Sequence, residues 1–450
     1  MATRLPNDAR PESARDAAMR VLAKHARRDP DLRPLAIDDA GLSRPDAALA
    51  HAIVDQAVRR WGTIEFILGG LLKRPFASHT PAVRAAWLAG GAQLLFFDRL
   101  PAHAVVDETV GLVRRRAGAK SAGLVNATLR ALARLVVSDG GSRRDRWDNE
   151  RDALPLADGG ARALAEPLLP EDPLERLAVA TGLAPALLRV LTPVRSSEEV
   201  RAFALHSIAR PPVILNTACA SAPLPEADLE PHDEPGHHVY HGSASGLRAL
   251  LAGRSDVWAQ DPASSAAVGL AAGLTPGLVV DLCAGRGTKT RQLRALFPDA
   301  EIVATDINEA RRRTLAEVFS GDQAVRVVEP GALIDLAGRA GLVLVDAPCS
   351  NTGVLGRRVE ARRRWSDRTV AALIQAQRQA LVEAVRLRAP DGAILYSTCS
   401  VDPRENEDQA SWLARWHTLR LERARARWPR GGPGRPLYES TDGAYAALLR

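Results

Sequence analysis

The chain has 450 residues, 46% apolar and 25% charged, a balance that fits about two or three cored domains and excludes a disordered or fibrous protein. Its formal charge of +7 points to an acidic partner such as nucleic acid. No apolar run of roughly 18 residues marks a membrane span, the amino terminus lacks an apolar secretory core, and four cysteines do not suggest a disulfide framework, so a cytoplasmic protein is expected.

Residues 1–137 read as helices. Apolar residues recur at helical spacing around Met19, Ile53 and Leu94, prolines 81 and 101 sit near helix starts, and glycines 118 and 123 punctuate the end. Residues 138–169 open on a charged, Gly-rich stretch and read as a linker. Residues 170–258 read as an α+β subdomain, with a capped helix start at Ser196-Ser197-Glu198-Glu199 and a strand at 211–216. Pro and Gly crowd residues 223–246, which read as loops.

From 259 to 450 strands and helices alternate, which implies right-handed βαβ units and a mostly parallel sheet. Leu278-Val279-Val280-Asp281 is the first buried strand of this region, followed by Leu282-Cys283-Ala284-Gly285-Arg286-Gly287-Thr288-Lys289-Thr290. Gly285 and Gly287 allow a tight turn and close approach of a ligand. The next strand ends at Asp306, an acid placed to accept from a ribose diol. This combination fits a nucleoside cofactor, and it is not a P-loop. Only four of 60 basic residues are lysines, so Lys289 inside this loop marks a place that needs a compact ammonium.

Two later strands end in Asp346-Ala347-Pro348-Cys349-Ser350 and Tyr396-Ser397-Thr398-Cys399-Ser400. Ligands bind at the carboxyl ends of parallel strands, so two thiols and an Asp delivered there suggest a nucleophile and an acid/base. The plain alternative is a pair of small buried residues. Arg357-Arg358 and Arg362-Arg363-Arg364-Trp365 follow the first cysteine, and that position favours contact with phosphate.

These motifs, with Gln260-Asp261-Pro262-Ala263-Ser264, Glu405-Asn406-Glu407 and the terminal Asp442-Gly443-Ala444-Tyr445, resemble the Sun (Fmu) family of RNA cytosine-C5 methyltransferases. Leu100–Val110 and Gly123–Arg130 resemble the NusB-type RNA-binding domain of its bacterial ribosomal-RNA members. The resemblance implies an all-α NusB-like domain before an α/β, Rossmann-like class I methyltransferase domain. It implies S-adenosyl-L-methionine as cofactor, 16S ribosomal RNA as partner, no membrane or metal, and a monomer. It makes Cys399 the nucleophile that adds to cytosine C6 and Cys349 the residue that assists release, with Asp346 on the base edge and Lys289 beside the thiolate. The cofactor would lie against Asp281, Cys283, Ala284, Gly285, Arg286, Gly287, Thr288, Lys289, Asp306, Glu329 and Asp346.

The chain departs from the family pattern at several places. Gly285, Arg286 and Thr288 replace Ala, Pro and Gly in the cofactor loop, Asn351 replaces a Gly, and Glu329 stands where an Asp is expected. The loop reads as rebuilt rather than lost. Two other readings remain open. One is a non-catalytic RNA-binding or ribosome-assembly protein with a decayed loop. The other is a nicotinamide oxidoreductase, which leaves the two cysteine motifs unexplained.

Overall fold

A computed structural model describes residues 10–137 and 142–450. The chain forms two compact units. The first takes the described residues up to Arg210, together with Leu355–Trp365 and Gly432–Gly434. It begins with helices α1 (Ala14–Arg28), α2 (Arg44–Arg59), α3 (Trp61–Gly69), α4 (Pro81–Phe96) and α5 (Ala102–Arg134). Ser13 and Ser43 cap α1 and α2 by accepting from Asp16 N and Asp46 N, and Pro81 opens α4 where its missing N–H costs nothing. Gly118 has φ +83 and breaks α5 into two helices. Gly90 and Gly91 let α4 approach its neighbours closely. A Cβ would lie 2.7 Å from Leu129 at the first and 2.7 Å from Ile64 at the second.

The expected linker over 138–169 is corrected from Ser142 onward; residues 138–141 lie outside the described ones. Strands β1 (Arg143–Arg144), β2 (Ala153–Pro155) and β3 (Ala161–Ala163) form an antiparallel sheet. Buried Trp147, Leu154, Leu156 and Leu164 give this segment a core that its composition hides, and its charges pair internally, as Arg144 does with Asp152 at 2.7 Å. Helices α6 (Pro173–Thr181), α7 (Pro185–Leu191) and α8 (Ser197–Ile208) complete the run, α8 starting at a Ser196/Glu199 capping box. These helices belong to the first unit and the strands from Val213 onward to the second, so 170–258 is not one subdomain.

A short helix, α13 (Ala361–Arg364), also belongs to the first unit. This corrects the reading of Arg362 and Arg363 as phosphate contacts. Arg362 is buried and donates to Thr181 O at 2.8 Å and to Ser207 O. Arg363 pairs with Asp29 at 2.9 Å and Glu65 at 3.0 Å, its guanidinium 5.5 Å from the Trp61 ring. A run of cations looks solvated in sequence; here internal carbonyls and carboxylates absorb two of them.

The second unit opens with β4 (Val213–Asn216), β5 (Leu229–Pro231), β6 (His237–Tyr240), α9 (Ala244–Leu251) and β7 (Trp258–Ala259). The four strands pair in the order β5-β6-β4-β7, so the stretch expected as loops holds two strands. After α10 (Pro262–Gly269) come β8 (Leu278–Asp281), α11 (Thr288–Leu296), β9 (Glu301–Ala304), α12 (Glu309–Val318), β10 (Val325–Val327), β11 (Ala340–Asp346), α14 (Asp367–Leu387), β12 (Arg388–Thr398), α15 (Glu407–His417), β13 (Leu421–Arg427) and β14 (Ala444–Leu449).

The seven-stranded sheet has the order β10-β9-β8-β11-β12-β14-β13. Strands β8 to β12 run parallel; β14 runs antiparallel to β12 and β13. Leu342, Val343, Leu344 and Val345 are fully buried because helices cover both faces, and such strands read as continuous apolar runs. From β8 the chain winds outward through β9 to β10, then returns to place β11 on the other side of β8. That reversal opens a crevice at the carboxyl ends of β8 and β11. No described helix is long and apolar enough to cross a membrane.

Candidate active site

At the end of β8 the Asp281 carboxyl is fully buried, and Oδ2 accepts from Thr290 Oγ1 at 2.7 Å. Burial pushes it up to about 7. Its other oxygen, Oδ1, is buried without a hydrogen-bond partner. The turn that follows keeps left-handed backbone at both glycines, φ +59 at Gly285 and +88 at Gly287. A Cβ at Gly287 would come within 2.7 Å of Phe319, so glycine is required there twice over.

Asp306, just beyond β9, braces this turn. Its Oδ2 accepts from Gly285 N at 3.1 Å and its Oδ1 from Asn308 N at 2.8 Å. Ala284 N donates to Thr305 O at 2.9 Å. Arg312 donates to Asp306 O at 2.7 Å and reaches Glu329 at 3.9 Å, but the Glu329 side chain stays 85% exposed. Burial, then the charge of Asp281, pushes the Cys283 thiol up to about 12, so it stays protonated. Arg286 is exposed, without a partner among the described residues, and lines a cleft with Trp258, Thr288 and Arg291.

The second half of the site lies at the ends of β11 and β12. Their register sets Asp346 opposite Ser397. Asp346 Oδ1 accepts from Ser397 Oγ at 2.8 Å, and Oδ2 pairs with Lys289 Nζ at 2.8 Å. Burial alone would lower the Lys289 ammonium's pKa; Asp346, then Cys399 and Asp281, outweigh it and raise it, so the lysine is charged. The sulfurs of Cys349 and Cys399 lie 3.2 Å apart, in hydrogen-bond contact. That bond, then burial, holds the Cys349 thiol well above the usual range.

Sequence reasoning missed what ties the two cysteine turns together. Glu405 is fully buried. Its Oε1 accepts from Ser350 N at 2.9 Å and Gln377 Nε2 at 3.1 Å, and its Oε2 from Ser350 Oγ at 2.5 Å and Ser400 Oγ at 2.7 Å. One carboxyl thus grips the residue after each cysteine. Burial raises its pKa. The Glu405-Asn406-Glu407 motif was the available signal, but nothing in it said which chains it would bridge. Asn351 is the other missed contact. It has φ +61, and its Oδ1 accepts from Cys399 Sγ at 3.3 Å.

A glycine turn after one strand, an acid after the next and polar groups at a topological switch point fit the class of α/β proteins that bind a nucleoside cofactor. Comparison with known proteins narrows the class. Residues 275–449 match the model of the family described as 16S rRNA methyltransferase RsmB/F, and residues 12–134 match the NusB family. The chain is similar to ribosomal RNA small subunit methyltransferase B of Xanthomonas campestris pv. campestris, 31% identical over 91% of this chain and 90% of that one. It is 29% identical to the protein of the same name from Vibrio cholerae, over 90% and 89% of the two chains. The solved structure of PH0851 shares the fold, with a TM-score of 0.72 at 19% identity over 96% of this chain and 98% of that one. The chain belongs to the RsmB/F (Sun/Fmu) family of 16S rRNA methyltransferases and carries an N-terminal NusB domain. Membership implies S-adenosyl-L-methionine as cofactor.

Proposed function

We propose that this chain methylates C5 of a cytosine in 16S ribosomal RNA through a covalent bond between Cys399 and cytosine C6. The observation that carries this reading is the approach of two thiols to 3.2 Å at the ends of neighbouring parallel strands, with a Lys–Asp pair on the same edge. The residues fit the cofactor. Asp281 offers a buried oxygen without a partner, Gly285 leaves open space above its Cα, and Asp306, braced by Gly285, Asn308 and Arg311, is the acid a ribose diol would meet. Cys283, Ala284, Arg286, Gly287, Thr288 and Lys289 complete the cradle. Glu329 is the weakest member, being exposed. S-adenosyl-L-methionine supplies an electrophilic methyl group.

The chain's own residues do the rest. Cytosine C5 is a poor nucleophile until a thiolate adds at C6. A free thiol is only a few per cent ionised at neutral pH, and the Lys289 cation favours the anion. Asp346, oriented by Ser397, holds the N3/N4 edge of the base. While Cys399 is free, its hydrogen bond and charge keep Cys349 protonated. Once Cys399 is spent in the bond to C6, that restraint is gone, and Cys349 can release its proton to bulk water and stand as a thiolate base. Cys349 then takes the proton from C5 as the C6–S bond breaks, and the Cys399 thiolate is regenerated. The NusB domain contributes RNA binding.

Cys399→Ala is expected to abolish methyl transfer and to form no adduct. Cys349→Ala is expected to accumulate an RNA adduct that survives a denaturing gel, because addition proceeds while release stalls. An adduct that needs Cys349 rather than Cys399 reverses the assignment. If the intact protein binds no S-adenosyl-L-methionine by calorimetry, the reading as an enzyme gives way to a non-catalytic RNA-binding protein.

A further inference from the structure

We propose that Glu405 is a positioning residue for the two-thiol chemistry, a single side chain that ties together the turns after the two cysteines and so sets how the sulfurs of Cys349 and Cys399 meet. The inference rests on the reading of these cysteines as nucleophile and release base, and adds the residue that keeps them in place. The β11–β12 ladder ends at Asp346 opposite Ser397. Both cysteines lie beyond that rung, on turns whose spacing strand pairing does not fix. A backbone bond crosses there, from Gly353 N to Cys399 O at 2.9 Å. Glu405 ties the residues next to the sulfurs. Ser350, which follows Cys349, donates to it through N and Oγ, and Ser400, which follows Cys399, donates through Oγ.

This hub is itself held in place. Gln377 Nε2 donates to Glu405 Oε1 at 3.1 Å and to Pro348 O at 3.0 Å, and Gln377 Oε1 accepts from Tyr396 at 3.2 Å. Asn406, the next residue, accepts from Thr398 Oγ1 at 2.5 Å and donates to Ser400 O at 3.0 Å. Glu405, Gln377, Tyr396 and Ser400 are fully buried. A buried polar network whose members are paired rigidifies what it joins. The sulfur contact at 3.2 Å is thus set by a carboxyl in the layer behind it. A serine hydroxyl can accept as well as donate, so a Gln amide at 405 preserves the tie. Its oxygen takes Ser350 N and Gln377 Nε2, and its nitrogen donates to the two hydroxyls. Ala preserves none of it.

The test probes the sulfur pair in the full chain. Phenylarsine oxide bridges two thiols, whose hydrogens leave with its oxygen as water, and a preorganised pair holds the arsenic more tightly. Retention against dithiothreitol is read as protection of Cys349 and Cys399 from iodoacetamide, by mass spectrometry of their peptides. Glu405→Ala, and Ser400→Ala, which cuts only the link to the second turn, should lose the arsenical at roughly three- to tenfold lower dithiothreitol, the size of one net hydrogen bond. Glu405→Gln should track the wild type. Under turnover both Ala variants should lose kcat with the KM for RNA held, and should accumulate RNA adduct, because the release base is out of place. If Glu405→Ala does not fold, Ser400→Ala carries the test. A wild type that holds no arsenical, retention that coincides for the wild type and the Ala variants, a Gln variant that loses the arsenical as readily as Glu405→Ala, or a raised KM at unchanged kcat overturns the positioning role. The arsenical measurement uses neither RNA nor cofactor, so it is separate from the adduct test. An active Cys399→Ala protein would sink the reading of the nucleophile, and the catalytic role of the tie with it, while leaving the retention values as measured.

Discussion

The two units bury charge in opposite ways. In the first, most buried charged groups are arginines, Asp16 and Glu360 being buried carboxyls beside them, and several of the arginines donate to backbone carbonyls. Arg59 Nη1 donates to Ser207 O at 3.2 Å, Ala209 O at 2.9 Å and Gly356 O at 3.0 Å. Arg60 donates to Pro155 O at 3.0 Å and Arg84 to Ala26 O at 2.8 Å. Burial, then the neighbouring Arg59, pulls Arg60 down to about 9, and Arg362 is lowered by burial and by both of those arginines. In the second unit most buried charged groups are carboxyls, and Asp281, Asp306 and Glu405 lie at the sheet edge that also holds Cys349 and the Lys289–Asp346 pair. Arginine here works as structural staple as well as surface charge. A net charge of +7 is therefore a poor measure of how much basic surface is left for RNA.

The largest effect expected from this contrast is at Arg362. Arg362→Ala removes the side chain that satisfies Thr181 O and Ser207 O. Thr181 O loses this donor at a cost of roughly 1–3 kcal/mol while Ser207 O keeps Arg59, and the cavity left by a buried side chain adds to that, so a loss of about 2–5 kcal/mol is expected by denaturant unfolding. RNA affinity at matched salt, measured where the variant is folded, should barely change. A variant of unchanged stability that binds RNA many-fold more weakly would break the comparison and restore the arginine run as a phosphate contact.

Legibility followed burial. Strands β8, β11 and β12 were readable because both faces are covered and their apolar runs are continuous. Strand β13, Leu421-Glu422-Arg423-Ala424-Arg425-Ala426-Arg427, is an exposed edge and carries no such signal. The small sheet of β1 to β3 was hidden by charges that pair with each other. Of the candidate site, the strand-end positions of Asp281, Asp346, Cys349 and Cys399 were legible one residue at a time. What was not legible is pairing across sequence. Glu405 joins residues 350 and 400, and Asn351 meets Cys399 48 residues away, through side-chain bonds that no local pattern encodes. The burial of Arg362 was invisible for the same reason.

Arg286 sharpens the comparison, since it is the arginine of the second unit that stands exposed beside the glycine turn. If its guanidinium pairs with the cofactor carboxylate, Arg286→Ala should weaken S-adenosyl-L-methionine binding by about 1.5–3 kcal/mol, roughly 10- to 100-fold in Kd by calorimetry. RNA affinity should hold. The reverse pattern, with cofactor affinity intact and RNA affinity reduced, assigns Arg286 to the RNA surface and makes Arg362 and Arg286 opposite uses of one residue type.

The smallest effect is a pH dependence, and it tests the carboxyl side of the contrast. Asp281 is raised from 3.8 to about 7, chiefly by burial. A raised folded value means the folded chain keeps a proton that the unfolded chain has already released. The stability this group contributes is therefore full below about pH 4 and lost as pH rises toward 7. Asp281→Asn is nearly isosteric, retains an oxygen for Thr290 and cannot titrate. Unfolding of the wild type and the Asn variant should be compared at pH 5 and pH 8. The variant should gain relative to wild type on going to pH 8, by roughly 1–3 kcal/mol. A difference that stays constant across this range would mean that Asp281 is ionised throughout, held by Thr290 and Lys289. The strand end would then have to be read as a site built around a permanent anion.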